Sequence, residues 1–182
     1  MIGAITAGLL GTPVPPVTNS YESIATVTVG AGGTSTISFS SIPSTYKHLQ
    51  IRLMETSSSA NNDIVCRFNS DSGTNYSLHA LLGSGVSASA YATANNTYVS
   101  LGYTGTSSNS GVAVCDILDY ADTNKYKTVR ALGGLDQNGS GYILLQSGNW
   151  RNTSAISTIT ITHGAAVNFN QYSSFALYGI KG

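Results

Sequence analysis

The chain has 182 residues, 41% of them hydrophobic and only 9% charged, and its eight basic and eight acidic residues leave a formal net charge of zero. That balance excludes the basic footprint needed to neutralise a phosphate backbone. It also excludes a disordered chain, which would combine low hydrophobicity with high net charge. The length suits one domain with a non-globular extension, whose surface must be built from Ser, Thr, Asn, Gly and Tyr rather than from the usual share of charges.

Residues 1–20 read as an extended apolar arm. The first ten contain no Lys or Arg, so they lack the basic start of a signal peptide, and they are too short to span a bilayer. Gly3, Gly8 and Gly11 loosen the backbone, whereas Pro13, Pro15 and Pro16 force extended geometry. An exposed segment this apolar needs a partner. The expected anchoring residues are Ile2, Ile5, Leu9 and Leu10, followed by Pro13, Val14, Pro15 and Pro16.

From Tyr21 to the end at 182, side chains alternate with period two, which predicts one β domain. Expected strands cover 24–29, 34–40, 48–55, 63–69, 76–82, 97–102, 111–118, 127–132, 141–146, 155–162 and 174–180. In 48–55, Leu49, Ile51 and Leu53 share one face while His48, Gln50 and Arg52 share the other, the pattern of a half-buried strand. Turn-rich connections at 30–33, 57–62, 70–75, 83–87, 104–111, 137–141 and 149–154 separate them. The one helix-like stretch, 119–125, is short. With no repeat of fixed period, a solenoid or propeller is disfavoured. The expectation is an all-β, jelly-roll-like two-sheet β-sandwich carrying an extended N-terminal arm.

Motifs for chemistry are sparse. Residues 69–75 space oxygen-bearing side chains two apart, as calcium loops do, but lack the late bidentate Glu and flanking helices of an EF-hand. A β-turn using Asn, Asp and Gly is the preferred reading. Asp116, Asp119 and Asp122 form the densest carboxylate group, expected to cap turns or pair with Lys125, Lys127 or Arg130. Spacing cannot show the facing pair a glycosidase needs. His48, His79 and His163 share no ligand spacing. No GxSxG nucleophile motif occurs, and neither Gly83-Ser84-Gly85 nor Gly139-Ser140-Gly141 opens a helix as a phosphate loop would. Catalytic, metal and cofactor residues are therefore not assigned. Cys66 and Cys115 lie in apolar runs, and buried free thiols are preferred over a disulfide.

Aromatic composition is the remaining clue, with eleven Tyr against one Trp. Tyrosine supplies rigid contact area with a polar tip. Tyr91, Tyr98 and Tyr103 in the Gly/Ser-rich middle, together with Trp150, are the candidates for surface or glycan contact, although such rings more often span core and surface of a strand.

Segments 21–25 (YESIA), 41–52 (SIPSTYKHLQIR), 67–76 (RFNSDSGTNY), 116–130 (DILDYADTNKYKTVR) and 173–182 (SSFALYGIKG) resemble a group of small tailed-bacteriophage virion proteins. The resemblance runs through the chain from Tyr21, and several members also begin with a short Gly-rich apolar segment. It implies a particle-surface component made in the cytoplasm of a bacterial host. The expected role is capsid decoration, with the arm anchored to other virion proteins such as the major capsid protein and the sandwich forming a small homo-oligomer, a trimer by expectation. The alternative is a tail-fibre or host-receptor module whose aromatics touch surface glycan. The family offers no catalytic residues to carry over, and neither nucleic acid nor membrane is an expected partner.

Overall fold

The structure, a computed structural model, describes residues 19–182; the expected anchoring arm residues lie outside them. Twelve strands follow in order: β1 (Tyr21–Thr28), β2 (Thr36–Phe39), β3 (His48–Glu55), β4 (Asp63–Phe68), β5 (Tyr76–Gly83), β6 (Ala88–Asn96), β7 (Val99–Tyr103), β8 (Gly111–Leu118), β9 (Lys127–Asp136), β10 (Gly141–Trp150), β11 (Ile159–His163) and β12 (Ser174–Ile180). They form two sheets, one of eight strands in the order β1-β12-β3-β8-β9-β10-β5-β6 and one of four in the order β2-β11-β4-β7. Every pairing is antiparallel. The chain is a two-sheet β-sandwich, as its alternation predicts.

The core lies between the sheets. Leu49, Ile51, Leu53, Cys115, Ile117, Val129, Phe175 and Leu177 project from the large sheet toward Ile37, Phe39, Ile64, Cys66, Phe68, Val99, Leu101, Ile159 and Ile161 of the small one. Burying each large apolar side chain stabilises the fold by about 1.5–3 kcal/mol, before the entropy of ordering the chain is set against it. A smaller cluster of Leu78, Ala80 and Leu144, flanked by Leu82 and Tyr91, packs toward the β6 end. Both cysteines are free and buried, and burial pushes both thiols well up.

Four local expectations are corrected. The stretch 119–125 is turn rather than helix, held by the Asp122 amide on Asp119 O and the Asn124 amide on Asp122 Oδ1. β6 is absent from the expected strands, because its run of Ala, Ser and Thr offers no large apolar face to alternate; pairing to β5 makes it a strand. β11 starts at Ile159, not 155. β9 and β10 run four residues past their expected ends at 132 and 146, through Gly133, Gly134 and Gly148. Gly133 and Gly148 are positions of close approach between sheets: a Cβ would lie 3.2 Å from Gly102 Cα at the first and 2.9 Å from Val99 Cγ1 at the second.

Lys127 is also corrected as a carboxylate partner. It is 0% exposed, and its ammonium donates to the carbonyl oxygens of Asp122, Lys125 and Thr153 (the last two at 3.0 Å). Burial lowers its pKa.

Candidate functional site

The sequence candidates separate in the fold. Trp150 is corrected outright: it is 1% exposed, packed against Phe68 and Tyr76 with ring centroids 5.6 and 6.3 Å away. Its indole N–H donates to Asp71 Oδ2 at 2.8 Å. Asp71 is thereby occupied, since it also accepts from the Gly73 backbone amide (2.8 Å) and the Asn75 side-chain amide (2.9 Å). Burial pushes its pKa up, but these hydrogen bonds together win and hold it below the usual carboxylate value. The 69–75 loop is an internally bonded turn. Among the described residues, no group of three His, Cys, Asp or Glu could hold a metal ion.

Tyr91, Tyr98 and Tyr103 do come together, half-buried at the free edge of β7. The Tyr98 hydroxyl donates to Asp63 Oδ2 at 2.8 Å, and Ser100 Oγ donates to Asp63 Oδ1 at 2.8 Å. The Arg67 guanidinium lies 5.9 Å from the Tyr98 ring centre. Tyr103 meets Tyr142 edge-on at 5.4 Å. Burial, then the hydrogen bond to Asp63, pushes the Tyr98 phenol up to about 12.

The aspartates pair as expected where Lys127 is not involved. Asp116 accepts from Gln50 (2.8 Å) and Arg130 (3.3 Å), while Asp119 sits 2.6 Å from Lys125 and 2.9 Å from Lys47. Among the histidines, His79 is exposed on β5, and His48 Nδ1 accepts the Asp119 amide at 3.0 Å.

One pair is not visible in the sequence. Ser57 Oγ lies 3.0 Å from His163 Nε2, a spacing that suggests a nucleophile and base. The hydrogen-bond polarity runs the wrong way. His163 Nδ1 accepts the Ala165 amide at 3.0 Å, so Nε2 carries the proton and donates to Ser59 O at 2.8 Å. A nitrogen that already holds its proton cannot take one from Ser57, and both residues are buried.

The most distinctive feature is elsewhere, on the outer face of the eight-stranded sheet. One register row across β3, β8, β9, β10, β5 and β6 reads Arg52, Val114, Leu132, Leu145, Leu81 and Ala90. The next row reads Met54, Val112, Gly134, Ile143, Gly83 and Ala88. Their seven large apolar side chains are each exposed, from 42% at Val114 to 62% at Ile143. A polar row of Gln50, Asp116, Arg130, Ser147 and His79 bounds the band on one side. An open hollow of about 1020 Å³ lies over Val112, Gly134 and Ile143, walled by the turns that carry Ser84, Ser108, Asn109 and Gly139. A second, about 600 Å³, lies over Leu81, Leu145 and Ala90.

No family model matches the chain, and no curated protein is detectably similar to it.

The sequence does carry a trace of the apolar face. In 111–118, 130–135, 79–83 and 142–146, apolar residues stand on both faces of the strand rather than alternating with polar ones. Such strands are usually covered on both sides. Here the small sheet covers one side, and among the described residues nothing covers the other.

Proposed function

We propose that this protein is a structural component of a tailed-phage virion, a capsid decoration protein attached to the particle through its N-terminal arm. The observation that carries this reading is the apolar band on the large sheet, which no described residue covers, a surface chemistry suited to burial in an assembly. The resemblance of 21–25, 41–52, 67–76, 116–130 and 173–182 to small virion proteins supports it. So does the neutral, Ser/Thr/Tyr-rich composition, which suits packing against protein rather than phosphate. A decoration protein stabilises a shell by binding the assembled form in preference to its parts.

Quantifying the chain against the major capsid protein in purified particles tests this directly. Hundreds of copies per particle are expected; a count near a dozen would rule decoration out. A second reading, a fibre or host-glycan module, is favoured by the gathering of Tyr91, Tyr98 and Tyr103 beside Asp63. On that reading Tyr98→Ala abolishes binding on a glycan array.

A further inference from the structure

The geometry points to a two-fold homodimer in which the apolar band of one copy packs against the same band of a second copy. This inference stands on the sheet alone and does not rest on the virion reading.

Seven side chains at about half exposure present on the order of 600 Å² of contiguous apolar surface, at the upper limit of what a monomer usually leaves in water. A standard interface buries roughly 800 Å² per partner, with an apolar core and a polar rim. The band supplies that core at nearly full size. The row of Gln50, Asp116 and Arg130 supplies a rim.

A two-fold axis brings each patch onto an identical patch, so any net charge there would meet itself. The two apolar rows carry a single charge, Arg52, at their margin. In the bounding row, Arg130 and Asp116 already neutralise one another at 3.3 Å. The chain as a whole has zero net charge, so copies approach without long-range repulsion. A strongly acidic or basic partner would find no complementary field on the band.

Ile143 is the most exposed of the seven large apolar residues of the band and stands between Gly134 and Gly83 in its row. The hollow opens over Gly134, where a Cβ would meet nothing nearer than Tyr142 O at 3.6 Å, whereas on the other side Ile143 itself leans over Gly83, its Cγ2 3.1 Å from where a Cβ would stand. A projection beside a recess on one patch is the arrangement that a two-fold contact can use twice, each Ile143 filling the recess of the other copy.

The test is the solution mass of the full chain, by light scattering or sedimentation, for wild type, Leu132→Lys and Thr128→Lys. Both substitutions are at exposed positions of β9, but only Leu132 lies in the band. A wild-type mass of two chains, one chain for Leu132→Lys with an unchanged far-ultraviolet spectrum, and two chains for Thr128→Lys are expected. Gly134→Trp fills the recess without adding charge and should weaken dimerisation at least tenfold, which guards against misfolding of the lysine variant. A wild-type mass of one or three chains would overturn the inference. So would a dimer that survives both Leu132→Lys and Gly134→Trp, or one lost only when residues 1–16 are deleted, which would assign association to the arm. Copy number in particles has no bearing on these outcomes, so the two readings fail separately.

Discussion

Trp150 and Asp71, far apart in the chain, are joined by a 2.8 Å hydrogen bond from the indole N–H to carboxylate Oδ2, and that bond ties the end of β10 to the turn between β4 and β5. The same carboxylate orders its own loop through Gly73 and Asn75, so one buried ring and one acid organise this corner of the sandwich.

Removing either partner should therefore act on stability. Trp150→Ala deletes the largest fully buried side chain and is expected to cost about 3–5 kcal/mol. Asp71→Ala leaves three donors without their acceptor and should cost about 1–3 kcal/mol. Urea denaturation at one fixed protein concentration measures both. Because Asp71 is already saturated by protein donors, adding calcium should leave the thermal midpoint unchanged.

Glu55 predicts an unusual pH dependence. Its carboxyl is 1% exposed; Oε1 accepts the Gly105 amide at 2.5 Å, and Oε2 is buried without a partner. Burial pushes its pKa from 4.5 up to about 7, against the opposing hydrogen bond from Gly105. The folded state thus holds a proton that the unfolded chain releases, and stability falls as pH rises from 4.5 to about 7, then levels off. The loss is about 3 kcal/mol. Glu55→Gln should flatten that slope and make the variant the more stable form above neutrality; an unchanged slope would refute the assignment.

Asp119 sets the opposite limb. Hydrogen bonds from Lys125 first and Lys47 second hold its pKa down to about 2 from 3.8. Its contribution is complete above the unfolded value and disappears as pH falls through about 2. Asp119→Asn should reduce acid sensitivity below about pH 4 in acid-denaturation curves while leaving the Glu55 slope untouched.

Adjacent glycines should respond in opposite directions. Gly133→Ala places a Cβ 3.2 Å from Gly102 Cα and should cost about 1–3 kcal/mol by pushing the sheets apart. In the Leu132→Lys background, which removes the proposed two-fold contact, Gly134→Ala meets nothing nearer than Tyr142 O at 3.6 Å and restricts the unfolded chain, so a gain of about 0.4–1 kcal/mol is expected. Equal effects from the two substitutions in urea denaturation would mean that close approach of the sheets is not why Gly133 is there.

Fold class and most strand positions are legible in the residues alone, because period-two alternation is a local property. β3, β8 and β12 begin and end where Leu49-Ile51-Leu53, Ala113-Cys115-Ile117 and Phe175-Leu177 place them. The expected ends of β9 at 132 and β10 at 146 fall short, because Gly133 and Gly148 carry these strands on past the backbone and side chains of β7, a contact between segments distant in sequence.

The aromatic candidates divide for the same reason. Residue type alone cannot distinguish a ring on the surface from one bonded into the core: Trp150 goes inside because Phe68, Tyr76 and Asp71 converge on it, whereas Tyr91, Tyr98 and Tyr103 meet at the β7 edge. The apolar band is present in the residues as strands greasy on both sides, but only register could align Val114, Leu132, Leu145 and Leu81 into one row. By itself the sequence determined the alternation, the strand content and the neutral surface, each encoded within a few neighbouring residues. Which face the small sheet covers, and which it leaves to water, was decided by the tertiary structure alone, because that depends on long-range pairing between strands.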